Sequence, residues 1–181
     1  MNELAEFRAE KDAFFRDDPR SPIPPERRAA FEGLGYYLEN PALAIRAPLE
    51  TDGVDRDERI VMDTTTGGQQ TYRRAGIVRF EVDGGTAELT LYASDDSPDL
   101  FLPFRDATSG RETYGAGRYL DIEPPGPDGR VLVDLNYAYN PSCAYSPEYS
   151  CPIPPGENWL GVPIRAGERS CSDIDEDARN R

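Results

Sequence analysis

Histidine is absent from the 181 residues, and lysine occurs once, at Lys11. The first absence removes Ser-His-Asp and Cys-His catalysis, imidazole general-base chemistry at neutral pH, and every metal site built on imidazole. Cysteine is scarce and odd in number: Cys143, Cys151 and Cys171 cannot all pair within one chain. That usage fits a reducing compartment better than a disulfide framework. No run of about 18 apolar residues occurs, so no membrane-spanning helix is expected. The opening Met1-Asn2-Glu3-Leu4-Ala5-Glu6 lacks the basic and apolar regions of a signal peptide. These absences together predict a cytoplasmic protein with no membrane partner, no metal and no cofactor.

Acid is what the chain has in excess. Asp and Glu number 34 against 20 Lys and Arg, a net charge of -14, and nearly every cation is arginine. At molar salt the Debye length falls to about 3 Å, and an acidic surface then keeps a protein solvated without repelling itself apart. Arginine stays charged and forks onto carboxylates, which suits such a surface. The acidity reads as adaptation to a saline cytoplasm; the rival reading is an acidic face that recruits a basic partner. Nucleic acid is not an expected partner, because no stripe of clustered basic residues could track phosphates. A content of 38% hydrophobic residues with ten tyrosines argues for a folded chain, and the length suits one domain.

Residues 3–16 place Leu4, Phe7, Phe14 and Phe15 among charges at helical spacing, which predicts an amphipathic helix. Prolines at 19, 22, 24 and 25 end it, since they lack amide donors and hold extended geometry. A short helical turn over 26–31 is expected next. Beyond Tyr36 the pattern becomes short runs punctuated by Gly, Pro and Asp. The clearest is a hairpin: Val78, Phe80 and Val82 alternate with Arg79 and Glu81, Asp83-Gly84-Gly85 turns the chain, and Ala87, Leu89 and Leu91 alternate with Glu88 and Thr90. Further strands are expected at 43–48, 59–63, 70–74, 100–104, 114–123, 130–136 and 162–165. The fold class is therefore mainly β, an antiparallel meander closing into a barrel or a two-layer sandwich, with the N-terminal amphipathic helix against an edge or open end. Three segments are expected: a helical segment over 1–31 packing on the domain, the β domain over 32–168, and an acidic, solvated tail over 169–181.

A weak internal repeat relates residues 63–72 to 106–114. Both carry Asp-x-Thr-[Thr/Ser]-Gly followed by Thr-Tyr, which suggests two similar hairpin corners passing the same edge. In the second copy Arg105, Asp106, Thr108, Ser109, Tyr114 and Arg118 fall in one loop-and-strand corner, where two arginines beside glycine-freed amides suit a carboxylate or phosphate. The competing account is a self-satisfied corner with Arg105 paired to Asp106 or another acid. The following loop carries Tyr137, Tyr139, Asn140, Tyr145 and Tyr149. It either lines a pocket with aromatic faces and hydroxyls or forms a proline-stiffened Ω-loop over the core. Cys143 and Cys151 lie in this loop as free thiols, a redox-made bridge or two ligands of a metal; their spacing and the lack of histidine disfavour zinc. Asp121, Glu123 and Asp134 form an acid/base couple if their strands pair, or they belong to a general acidic surface.

The stretches Asp99-Leu100-Phe101-Leu102-Pro103-Phe104-Arg105-Asp106-Ala107-Thr108-Ser109-Gly110 with Thr113-Tyr114-Gly115-Ala116-Gly117-Arg118-Tyr119-Leu120, and Asn136-Tyr137-Ala138-Tyr139-Asn140-Pro141-Ser142-Cys143-Ala144-Tyr145-Ser146-Pro147 with Cys151-Pro152-Ile153-Pro154-Pro155 and Asn158-Trp159-Leu160, resemble a family of uncharacterised bacterial and archaeal proteins. That family is catalogued only as a domain of unknown function, and the acidic composition is similar to that of a haloarchaeal member. The resemblance implies no activity. The residues themselves favour a non-catalytic domain binding a small anionic or aromatic ligand. The alternatives are a metal-independent hydrolase or lyase working through Asp121, Glu123 or Asp134 with Tyr114 or Tyr119, and a purely structural or interaction domain.

Overall fold

The computed structural model describes residues 2–170. Helix α1 spans Glu3–Asp17; Asn2 caps it by accepting from the Ala5 amide at 2.9 Å, and Glu3, Glu6 and Arg16 complement its dipole. It buries Leu4 and Phe15, and Phe15 meets Tyr145 edge-on at 5.0 Å. Helix α2, Pro25–Arg28, is a single turn with proline at its first position, where the missing amide costs nothing.

Seven strands follow: β1 Ala44–Pro48, β2 Arg59–Asp63, β3 Gln69–Val82, β4 Gly85–Ser94, β5 Ser97–Phe104, β6 Arg118–Ile122 and β7 Arg130–Asp134. Strands β2 to β6 form a five-stranded antiparallel meander in chain order, while β1 and β7 pair antiparallel as a separate two-stranded sheet. The hairpin turn is tight because Asp83 and Gly84 both take positive φ, 50° and 75°, the backbone that matches strand twist. The segments expected at 70–74 and 78–82 are one strand, continuous through a bulge between Arg74 and Gly76.

The mainly-β class with an N-terminal helix holds, and the closed barrel does not: the arrangement is two sheets, consistent with a sandwich. Strand β6 does not pair with β7. Instead β7 finds β1, with Ala44 opposite Asp134 and Pro48 opposite Arg130, so a long-range partner wins over the nearer one. Residues 162–165 form no strand and 114–117 belong to a connection. Both repeat corners sit in hairpin connections, β2–β3 and β5–β6, but three strands separate them, so they fall at opposite ends of the sheet and not on one edge.

The two faces of the large sheet differ in kind. Val78, Leu89, Leu91, Leu102 and Phe104 face Ala47, Val131, Val133 and Leu135 of the small sheet and its flank, forming the aliphatic core. Alternation puts Thr90, Tyr92, Phe101 and Tyr119 on the other face. There Tyr72 stacks on Phe101 at 5.3 Å, Phe101 meets Tyr119 at 4.8 Å, and Tyr119 meets Tyr139 at 5.9 Å. Irregular chain from Tyr139 onward roofs this aromatic layer. It covers both sheet edges, with Tyr139 bridging Tyr119 of β6 and Pro152 bridging Thr64 beside β2.

Candidate functional site

The Asp106–Arg118 corner is assembled by β5 and β6, whose ends Phe104 and Arg118 are paired in register. Arg118 is wholly buried. Its guanidinium donates to the carbonyls of Ala166, Glu168 (3.1 Å) and Ile164 (2.7 Å) and to Asp106 Oδ1 (3.4 Å), and lies 5.2 Å over the Phe104 ring. Burial pulls its basicity down while Asp106 holds it up. Asp106 also accepts from the Thr108 hydroxyl (2.8 Å) and the Ile164 amide (2.7 Å), with Ser109 Oγ at 3.5 Å, and Thr108 and Thr113 share a hydroxyl bond at 2.8 Å. Gly117 has φ of 106°, and a Cβ there would meet the Phe104 carbonyl at 2.6 Å, so only glycine lets the chain re-enter β6 here. This constellation pins the coil 164–168 to the sheet; only Arg118 Nε is left without a partner.

A second buried network ties the coil to α1. Glu168, 1% exposed, pairs with the one lysine, Lys11, and accepts from the Asn140 amide (2.8 Å) and the Tyr145 hydroxyl (2.9 Å). Asn140 Nδ2 donates to the Arg169 carbonyl at 3.0 Å. The Lys11 ammonium also lies 4.8 Å from the Tyr139 ring, and the Tyr139 hydroxyl donates to Asp121 at 2.7 Å. Burial, and then the Asp121 carboxylate, push that phenol up.

The remaining candidates are half-exposed and separate. Arg105 does not pair with Asp106: its guanidinium sits 4.6 Å over Trp159, and among the described residues it has no carboxylate partner. Trp159 is 54% exposed and is held in place by its indole N–H on the Pro154 carbonyl at 2.8 Å. The Tyr114 hydroxyl contacts Cys143 Sγ at 3.7 Å. Arg105, Arg118, Tyr114 and Tyr139 thus occupy four different settings. Asp121, Glu123 and Asp134 share one cleft of about 290 Å³ with Glu3 and Tyr137. Neither proton-carrying tyrosine enters it, since Tyr119 donates to the Pro152 carbonyl and Tyr114 faces Cys143. A larger cleft of about 600 Å³ separates Pro19, Ile23 and Arg28 from Tyr145, Pro147 and Tyr149. Among the described residues no three His, Cys, Asp or Glu side chains gather as a metal site, and no helix is long and apolar enough to cross a membrane. Cys171 and the tail beyond residue 170 lie outside the described residues.

Four residues that matter here escaped the sequence reading of chemistry: Lys11, Trp159, Asn158 and Glu168. Two carry a signal that was available, being the sole lysine and sole tryptophan of the chain. Asn158 is wholly buried and bridges strands through the coil, accepting from the Thr90 amide and donating to the Thr90 and Pro103 carbonyls, each at 2.8 Å.

Fold and site define a small two-sheet antiparallel domain whose aromatic outer face is roofed by a coil that side-chain bonds pin down. The chain belongs to the family described as "Protein of unknown function (DUF1684)", which matches residues 29–169 and so spans both stretches that carried the resemblance. It is also similar to an uncharacterized protein of Haloarcula marismortui known from a solution NMR structure, with 39% identity over 92% of each chain and a TM-score of 0.69. No curated protein matches it.

Proposed function

We propose that the domain is a non-catalytic binding module for a small planar anion, seated on Arg105 and Trp159. One observation carries the reading. In a chain with 34 acidic residues, Arg46, Arg59, Arg73, Arg74, Arg79 and Arg165 each hold a carboxylate, whereas Arg105 holds an exposed indole. A guanidinium stacked by its face keeps its N–H edge for a bidentate carboxylate or phosphate, and the ring beside it accepts an aromatic body. The clamp first expected from two arginines narrows to one, because Arg118 is spent on backbone carbonyls. The proposed setting is a saline cytoplasm, a reading supported by the net charge of -14 and by the free thiols of Cys143 and Cys151.

Trp159 is the only tryptophan, so its fluorescence reports this site alone. Titration with benzoate and with inorganic phosphate is expected to give a saturable change for at least one of them, matched by calorimetry and abolished by Arg105→Ala. A linear, non-saturating response, or an unchanged affinity in Arg105→Ala, sinks the proposal.

A further inference from the structure

Cys143 and Cys151 come from the two ends of one loop, and the fold brings the two residues into contact as free thiols. The Cys143 amide donates to Cys151 Sγ at 3.4 Å. Both ends of the loop are fixed by backbone. The Cys143 end is a single 3₁₀ turn, Ser142–Ala144, entered through Pro141. The Cys151 end is clasped by Thr65, whose amide donates to the Cys151 carbonyl at 3.0 Å and whose hydroxyl accepts from the Cys151 amide at 3.1 Å. The chain therefore holds the two cysteines beside each other.

The two thiols are unlike. Cys151 is 7% exposed, while Cys143 is partly open to solvent. The Tyr114 hydroxyl points at Cys143 sulfur at 3.7 Å. The contact with Cys151, and the Tyr114 hydroxyl with it, favour the Cys143 thiolate and lower its pKa, whereas the contact with Cys143 and burial push Cys151 up. A reachable thiolate beside a shielded thiol is the arrangement of an attacking and a resolving cysteine.

We propose that Cys143 and Cys151 form a redox-active dithiol that a hydroperoxide converts into an intraloop disulfide. The Cys143 thiolate attacks the terminal peroxide oxygen; an S–O bond forms, the O–O bond breaks, and the alcohol leaves after taking a proton from solvent. Sulfur is oxidised to the sulfenic acid and the peroxide oxygen is reduced. Cys151 sulfur then attacks the sulfenic sulfur, forming S–S and breaking S–O, and its own proton leaves with the departing hydroxide as water. Two thiols and one hydroperoxide give one disulfide, one alcohol and one water. The site stands apart from Arg105 and Trp159, so this chemistry and the ligand proposal succeed or fail separately.

The test is stoichiometric hydrogen peroxide on the full chain carrying Cys171→Ser, which removes the third thiol, followed by peptide mapping without reductant. The expected product is a cross-linked pair joining Cys143 to Cys151 with loss of two hydrogens, reversed by dithiothreitol. In Cys151→Ser the sulfenic acid is expected to persist on Cys143 and to be captured by dimedone; in Cys143→Ser neither bridge nor adduct forms. Two free thiols after treatment, or separate over-oxidation of each sulfur without a bridge, overturns the proposal. The unmodified cysteine pair is read first, so a misfolded variant does not decide the outcome.

Discussion

The inner and outer faces of the five-stranded sheet are covered by different means. Inside, the β1–β7 ribbon lays Ala47, Val131 and Val133 against Val78, Leu89 and Leu102, and area removed from water does the work. Outside, chain without ladder partners lies across tyrosines, with the Tyr119 hydroxyl donating to the Pro152 carbonyl and Asn158 of the coil bonding Thr90 and Pro103 of the sheet; at the inner end of the same sheet Arg118, opposite Phe104, and Asp106 fix the coil 164–168 in the same manner. Irregular backbone can be buried only if each polar group finds a partner, and side chains bonding between coil, connections and strands are the available supply. Residues that look like a ligand-binding set in the sequence are largely this supply.

The difference between area burial and side-chain pinning is tested most directly at Asp106. Asp106→Ala leaves Arg118 as an uncompensated buried charge and is expected to cost about 3–5 kcal/mol in chemical denaturation, as much as or more than the inner-face control Leu102→Ala. If Asp106→Ala costs under 1 kcal/mol, roughly the scale of an exposed ion pair, the account of a coil pinned by Arg118 and Asp106 is wrong. Asn158→Ala should cost less, about 2 kcal/mol, because it strands the Thr90 amide and two carbonyls but no charge. Hydrogen exchange should show the loss confined to the coil and the β4–β5 face, and a loss spread evenly through the β1–β7 ribbon would contradict it.

The smallest effect is expected at the rim, where Tyr37 donates to Glu112 at 2.8 Å and Glu112 is gripped by Arg165. Burial and then the Glu112 bond push Tyr37 up to about 12 from its ordinary 10.0. A raised folded pKa favours the neutral phenol, so this contribution is whole below pH 10 and is lost as pH rises through about 12. Phenolate absorbance should show a late-titrating tyrosine that Tyr37→Phe removes, with a correspondingly shallower alkaline loss of stability in the variant.

The hairpin at Asp83-Gly84 was legible because period-two alternation and turn chemistry are local, and the N-terminal helix was legible for the same reason. The pairing of β7 with β1 was not, since Val131 and Val133 present the same pattern to any partner and Pro124 to Gly129 offered a nearer one. Arg118 was misleading for a deeper reason. Its burial is decided by carbonyls at 164, 166 and 168, nearly fifty positions away, in a stretch with no periodicity to announce it. The tyrosines of the 137–149 loop were visible as aromatic matter, but whether they line an opening or seal a core depends on Phe15 and Glu168, which arrive from opposite ends of the chain.

The β1–β7 ribbon brackets the whole meander, so during synthesis Ala44 waits for Asp134 before its strand has a neighbour. At about 5–20 residues per second that wait is roughly 5–18 s. Throughout it the aliphatic face of the growing sheet lacks its cover, and the interval in which the nascent chain needs protection from its neighbours is set by the position of residue 134 along the message.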